Sequence, residues 1–393
     1  MTVLLDISAL RAETPGCAHR LHLNNAGAGL MPQPVIDAVT DHISLEARIG
    51  GSEALAERTD AHEAVYASVA SMIGAAPDEI ALVENATVAW QRAFYAFDFS
   101  EGDRILTARA EYAANYIAYL QVARRTGCVI EVIPDDASGA TDPAALEAMI
   151  DERVKLISIT WIPTNGGLVN PAAEIGRVAR AHGIPYLLDA CQAAGQMPVD
   201  VEEIGCDFLS VTGRKFLRGP RGTGFLYARR SMLDRVEPPM LDLFSAGWSA
   251  PDSYELRPDA RRFEVWESAP ALRLGLGAAV DYAMAVGLET IRERAWGLAE
   301  GLRGELARVP GIAVHDIGAE RCAIVTFAND RVKADEIAGK MAEQGINVST
   351  STPSSTLLDA TRRALPTVVR ASPHYYNTAG ELERFLSVLK ACT

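Results

Sequence analysis

Apolar positions along the chain follow two alternating patterns. Near the start, Ile36, Val39, Ile43 and Ala47 recur at the spacing of one helix face, as do Val65, Tyr66, Val69, Met72 and Ile73, which predicts two amphipathic helices. From residue 80, short apolar runs take turns with helical ones. IALV at 80–83 precedes a helix through Trp90 and Phe94, and RILT at 104–107 precedes one through Tyr116 and Leu120. VIEVI at 129–133, LISIT at 156–160, YLLDA at 186–190, FLSVT at 208–212 and GFLYA at 224–228 complete a set of strands. A strand covered on one face alternates apolar and polar residues. These runs are apolar almost throughout, so crossover helices must cover both faces, and the reading is an α/β fold with a mainly parallel seven-stranded sheet.

The order changes after about residue 285. A helix through Ile291, Leu298, Leu302 and Leu306 leads to IAVHDI, AIVTFA, a helix from Val332 to Gln344, INVST, VVRAS and a last helix after Thr378. Few strands with mixed connections predict a smaller α+β domain packed with the N-terminal segment. The expected division is residues 21–284 for the large domain, and 1–20 with 285–393 for the small one. No internal repeat or flexible linker separates them, so a broad shared interface is expected.

Composition narrows the function. With 393 residues, 49% of them apolar, 31 glycines and 20 prolines, the chain is an ordinary globular protein with room for two domains. A net charge of −14 repels phosphate backbones and anionic lipid, which disfavours nucleic-acid and membrane partners and leaves small molecules. Cys17, Cys128, Cys191, Cys206, Cys322 and Cys392 show no CxxC spacing, and His22, His62, His182, His315 and His374 show no metal spacing, so neither a metal site nor a disulfide framework is expected. The start, MTVLLDISALRAE, lacks a basic beginning and is broken by Asp6, unlike a secretory signal. The uncharged stretch 156–173 holds Pro163, Gly166, Gly167 and Pro171, unlike a membrane span. A soluble cytoplasmic protein is the expectation. Gly27-Ala28-Gly29 precedes no βαβ unit, which removes a dinucleotide loop.

In such a sheet, ligands sit beyond the carboxyl ends of the strands. The first polar residues there are Glu84-Asn85-Ala86-Thr87, Glu111-Tyr112, Pro163-Thr164-Asn165, Asp189 with Gln192, and Thr212-Gly213-Arg214-Lys215. Lys215, beside Arg214, Arg218 and Arg221, reads as a Schiff-base nucleophile whose ammonium form is disfavoured, or as a solvated surface lysine. Asp189 ends an apolar run. It is costly there unless it meets a cation, such as a protonated pyridine nitrogen, or caps a helix over 190–195. The Asn85-Ala86-Thr87 turn offers backbone N–H groups to a phosphate, or simply caps a helix.

The stretch LDACQAAGQMPVDVEEIGCDFLSVTGRKFLRGPRGTGFLY resembles the central signature of the class V aminotransferases. These are fold type I pyridoxal-phosphate enzymes that include cysteine desulfurases, selenocysteine lyases, epimerase-like proteins and ergothioneine-type carbon-sulfur lyases. LHLNNAGAGLMPQPV, ENAT, EYAAN and VVRASPHYYNTAGELERFL extend the likeness over most of the chain. The resemblance implies that Lys215 binds pyridoxal 5'-phosphate covalently, Asp189 pairs with its ring nitrogen, and Gln192 reaches the ring 3-oxygen. Tyr112 takes the stacking position often held by histidine. Ala86, Thr87, Thr212 and Arg214 take the phosphate, with Arg214 replacing the usual histidine. Thr164 or Asn165 stands near the 3-oxygen. Arg370, unless it is a surface arginine, grips the substrate carboxylate, with Asn25 of the opening segment also at the substrate.

The resemblance further implies a homodimer acting on an amino acid. In it, RRFEVWESAP at 261–270 occupies the stretch that crosses to the neighbouring phosphate, with Trp266 to Ser268 in place of the family's Gly-Thr pair. The loop NVSTSTPSST, where desulfurases and selenocysteine lyases carry their persulfide-forming cysteine, has none. That disfavours desulfuration. RKFLRGPRGTGFLY and NVSTSTPSST look most like the ergothioneine-type lyases, and that resemblance implies carbon-sulfur cleavage by α,β-elimination, with transamination and epimerisation as alternatives; a catalytically inert binding protein on the same fold is the non-enzyme alternative.

Overall fold

The computed structural model describes residues 5–393; residues 1–4, part of the start discussed above and of the expected small domain, lie outside the described residues. The central sheet has seven strands: β1 (Ile80–Val83), β2 (Arg104–Thr107), β3 (Val129–Val132), β4 (Val154–Thr160), β5 (Tyr186–Asp189), β6 (Phe208–Thr212) and β7 (Gly224–Ala228). Their spatial order is β1-β7-β6-β5-β4-β2-β3. All neighbours run parallel except β7, which is antiparallel to both β1 and β6. The reason is local: residues 213–223 hold no helix, and without a crossover helix the chain reverses direction between β6 and β7.

Continuous hydrophobicity is explained by two cores, one on each face. Successive side chains of a strand point to opposite faces. Leu187 of β5 packs with Trp90, Phe94 and Tyr119, while Leu188 joins Ile157, Ile159 and Leu209 on the other side. The exception is β3, the sheet's edge, where Val129 is 42% exposed. The second opening helix, Thr59–Ile73, buries Val65, Tyr66, Val69, Met72 and Ile73 as expected. The first, Gln33–Ile49, does not bury its expected stripe. It turns Val35, His42 and Leu45 inward and leaves Ile43 exposed, because the face pressed against Pro270–Val286 is set by that neighbour.

The C-terminal part forms a second, antiparallel sheet of β8 (Ile312–Val314), β9 (Val325–Asn329), β10 (Ser349–Ser351) and β11 (Val368–Ala371), ordered β8-β9-β11-β10. The N-terminal segment is stitched to this part. Leu21–His22 pairs in parallel with Ile346–Asn347, and Asn24 bridges to Ser372, so its contacts run past the expected boundary at residue 20. Among the described residues no single helix is long and apolar enough to cross a membrane.

Candidate active site

Three strand ends converge first. Register pairs Val83 of β1 and Thr212 of β6 with Gly224 of β7, which brings the turn after β1 beside the start of the lysine loop. Gly224 permits this approach, since a Cβ there would lie 3.1 Å from Asn85 Cα. Asn85 caps the helix Ala86–Phe94 by accepting from the Val88 N–H at 3.0 Å. The capping reading is therefore correct, and it leaves the N–H groups of Ala86 and Thr87, the first two of the helix, free for an anion.

The loop 213–223 carries Lys215, and Gly195 shapes it from below. Gly195 has φ +87, and a Cβ there would stand 2.3 Å from Leu217 N, so no other residue fits. Gly29 packs on the other side, its N–H donating to Arg214 O at 2.8 Å. Arg218 locks the loop's far end. It adopts φ +63 and is 2% exposed. Its Nε donates to Leu30 O at 2.6 Å, Nη2 to Thr14 Oγ1 at 2.6 Å, and Nη1 to the Tyr375 hydroxyl. The rings of Tyr375 and Tyr376 lie 5.2 and 4.6 Å from its guanidinium carbon.

Lys215 is half-buried, and burial lowers its pKa from the usual lysine range. Cys191 and Asp189 oppose that shift, and Arg214 and Arg370 reinforce it. Of the three arginines expected to act on Lys215, only Arg214 is among these; Arg370, distant in sequence, joins it. The effect favours a neutral amine, which can act as nucleophile or base.

Asp189, at the end of β5, is 5% exposed. No helix follows it, so it is not a helix cap. Its Oδ1 accepts from the Cys191 N–H at 2.9 Å and its Oδ2 from Asn115 Nδ2 at 3.1 Å. Tyr112, 39% exposed at the start of the helix Ala113–Thr126, lies within the electrostatic reach of Cys191, Asp189, Arg214 and Arg370. Arg370, on β11, is 7% exposed and so no surface arginine. Burial, with Arg214 adding to it, lowers its pKa to about 10. Its Nη1 donates to Thr164 Oγ1, and among the described residues no carboxylate pairs with it.

Two expected ligands make hydrogen bonds within the chain. Asn165 is tied to the small domain: its Nδ2 donates to Thr352 O at 3.1 Å and its Oδ1 accepts from the Ser351 hydroxyl. Thr164 instead accepts from Arg370 through its hydroxyl. Asn25 has its Nδ2 on Ser372 O at 2.8 Å and its Oδ1 on the Tyr376 hydroxyl at 2.5 Å. Its amide fastens the opening segment to the end of β11 with one N–H and one lone pair of its oxygen. Arg214 at present donates to Gly27 O. Sequence reasoning also left Asn115 and Cys191 without roles; the signal for Asn115 was its place in the first turn of the helix that follows Glu111-Tyr112.

The residues fit pyridoxal phosphate. Gln192 Oε1 and Arg370 Nε are buried without hydrogen-bond partners, whereas buried polar atoms are nearly always paired. A ring hydroxyl would satisfy the first and a substrate carboxylate the second. Fold and site together are those of a fold type I pyridoxal-phosphate enzyme. The Aminotransferase class-V family model matches residues 21–385, and the chain belongs to that family.

A protein of Methanothermobacter thermautotrophicus named as a probable cysteine desulfurase is 31% identical over 391 residues, covering 97% of this chain and 96% of its own. The apo structure of a cysteine desulfurase from Thermococcus onnurineus superposes with a TM-score of 0.92 at 25% identity, covering 100% of this chain and 99% of its own. A cystine C-S lyase complexed with cysteine persulfide shares the fold, with a TM-score of 0.85 at 24% identity and coverage of 96% and 99%.

Proposed function

We propose that this enzyme cleaves a carbon-sulfur bond of an amino acid by α,β-elimination. Lys215 would hold pyridoxal phosphate through Nζ, with the Ala86 and Thr87 N–H groups, Thr212 and Arg214 at the phosphate, Tyr112 against the ring, Gln192 at the 3-oxygen and Asp189 at the ring nitrogen. Bound there, the cofactor supplies an electron sink for the pair left on an amino acid's α-carbon. Arg370 orients the substrate by its carboxylate. Lys215, once released, takes the α-proton as general base, and Asp189 keeps the ring nitrogen protonated. Loss of a thiol from the β-carbon and hydrolysis of the remainder give pyruvate and ammonia.

The observation that carries this choice is the segment 347–356. Its Ser351 and Thr352 bond to Asn165, the neighbour in sequence of the Arg370-bound Thr164, yet it holds only Ser, Thr, Pro, Val and Asn. Cys191, the thiol nearest Lys215 in electrostatic reach, has its pKa pushed up to about 12, chiefly by burial, and is no thiolate at neutral pH. A desulfurase needs a nucleophilic thiol to accept sulfur. Desulfuration remains the second reading because two of the three proteins named above, those of Methanothermobacter and Thermococcus, carry that activity in their names. Transamination and epimerisation share the first half of the chemistry.

A homodimer completes the proposal. Met240, Leu243, Trp248, Tyr254 and Trp266 form an exposed apolar stretch around the hairpin 246–256, and a second copy would cover it. The test is a screen of cysteine, cystine, S-substituted cysteines and their sulfoxides, following pyruvate, ammonia, alanine and keto acids separately. Pyruvate with equal ammonia supports elimination. Alanine with a protein-bound persulfide overturns it in favour of desulfuration, and a keto acid with the substrate's own skeleton does so in favour of transamination.

A further inference from the structure

A second carboxylate stands behind Asp189. Glu111, four residues after the end of β2, is 3% exposed, and among the described residues no cation pairs with it. Neutral donors hold it instead. Its Oε1 accepts from the Tyr112 N–H at 2.9 Å, from Asn115 Nδ2 at 2.9 Å and from the Thr160 hydroxyl, and its Oε2 accepts from Thr107 Oγ1 at 3.1 Å. The same Asn115 Nδ2 donates to Asp189 Oδ2 at 3.1 Å. An amide nitrogen has two hydrogens, so one side chain joins both carboxylates. The register fixes this arrangement, since Thr160 of β4 pairs with Asp189 of β5. A buried carboxylate with four donors and no cation is an expensive way to fill space.

We propose that Glu111 is a positioning residue that, through Asn115, orients Asp189 and sets the negative potential Asp189 presents to the cofactor's ring nitrogen. This rests on the reading of Asp189 given above. Burial raises the Glu111 pKa to about 7; Asp189 adds to the rise, and Thr160, Asn115 and the Tyr112 N–H oppose it. The other titratable groups facing Glu111 are Tyr119 on the helix Ala113–Thr126 and Tyr186 on β5, both held well above the usual tyrosine range by burial and therefore neutral. Asp189 is then the charge that Glu111 acts upon. Above its pKa, Glu111 adds a second negative charge one amide away and strengthens the hold on the ring-nitrogen proton. Below it, that support is withdrawn.

The experiment uses holoenzyme carrying cofactor labelled with nitrogen-15 in the ring, and records the ring-nitrogen shift and kinetics across the Glu111 titration near pH 7. In the wild type the shift should step with an apparent pKa near that value. Glu111→Gln should remove the step and lower kcat about ten-fold, with KM within about two-fold, as expected for losing one charge-assisted contact. Asn115→Ala should do the same, and the double variant should lose no more than either alone. If Glu111→Gln does not fold, Asn115→Ala still decides. A wild-type shift and kcat in the variants, or losses that add independently, overturn the proposal. An Asp189→Asn holoenzyme with an unchanged ring-nitrogen signal would instead refute the reading of Asp189 itself.

Discussion

Arg370 is a guanidinium held below the surface with one nitrogen unpaired, and its nearest side-chain partner is a neutral threonine. A planar fork can bind both oxygens of a carboxylate, and an ammonium cannot. Arg370→Lys should therefore raise KM for an α-amino acid about ten-fold to more than a hundred-fold, corresponding to a loss of about 1.5–3 kcal/mol, with a smaller effect on kcat. Steady-state kinetics check this, and unchanged KM would take Arg370 out of the site. Asp189→Asn tests a different quantity. The amide retains a hydrogen bond to the ring nitrogen but cannot hold it protonated, so cofactor should stay bound while kcat and kcat/KM fall together, with a larger isotope effect on α-deuterated substrate. Lys215, Asp189 and Arg370 could be singled out as candidates in the sequence because each sets a charge against or just beyond an apolar run. The structural contacts of Asn25 and Asn165 were not legible, because their partners, Ser372, Tyr376, Ser351 and Thr352, lie far away in sequence and only folding brings them together.

The lysine loop belongs to the scale of elements. Gly195→Ala would put a Cβ against Leu217 N and force alanine into a left-handed conformation. We expect a loss of about 1–3 kcal/mol in urea unfolding, together with weaker retention of cofactor as the loop shifts. A variant with wild-type midpoint and tight cofactor would show that Gly195 does not shape the loop. All seven strands of the central sheet were readable, most to within a residue, because burial on both faces leaves a continuous apolar run. The opening helix Gln33–Ile49 was readable as a helix but not in its orientation. Several of its apolar residues compete for the inner face, and packing on Pro270–Val286, some 230 residues on, decides among them.

For the whole molecule, the proposed dimer makes the next claim. Trp248 is 83% exposed in the single chain and Leu243 is 72% exposed, side chains too large and apolar to face water together without reason. Sedimentation should give the mass of two chains, and Trp248→Glu should shift it toward one; a wild-type monomer would contradict the proposed interface. The division into two sheets was legible from the change in element order near residue 285. The pairing of Leu21–His22 with Ile346–Asn347 was not, since two-residue strands leave almost no periodic trace.

The central claim is that the lysine after β6 carries the cofactor, and the chain makes it unusually testable because it has five lysines: Lys155, Lys215, Lys333, Lys340 and Lys390. Lys155, Lys333 and Lys390 are exposed, and Lys340 pairs with Glu336 at 2.9 Å. Lys215 alone is coupled to Asp189, Arg214 and Arg370. Purified holoenzyme should be reduced with borohydride, digested and mapped by mass spectrometry. The account predicts a stable pyridoxyl-phosphate adduct on Lys215 and on no other lysine; an adduct on any of the other four, or none after incubation with cofactor, would contradict it.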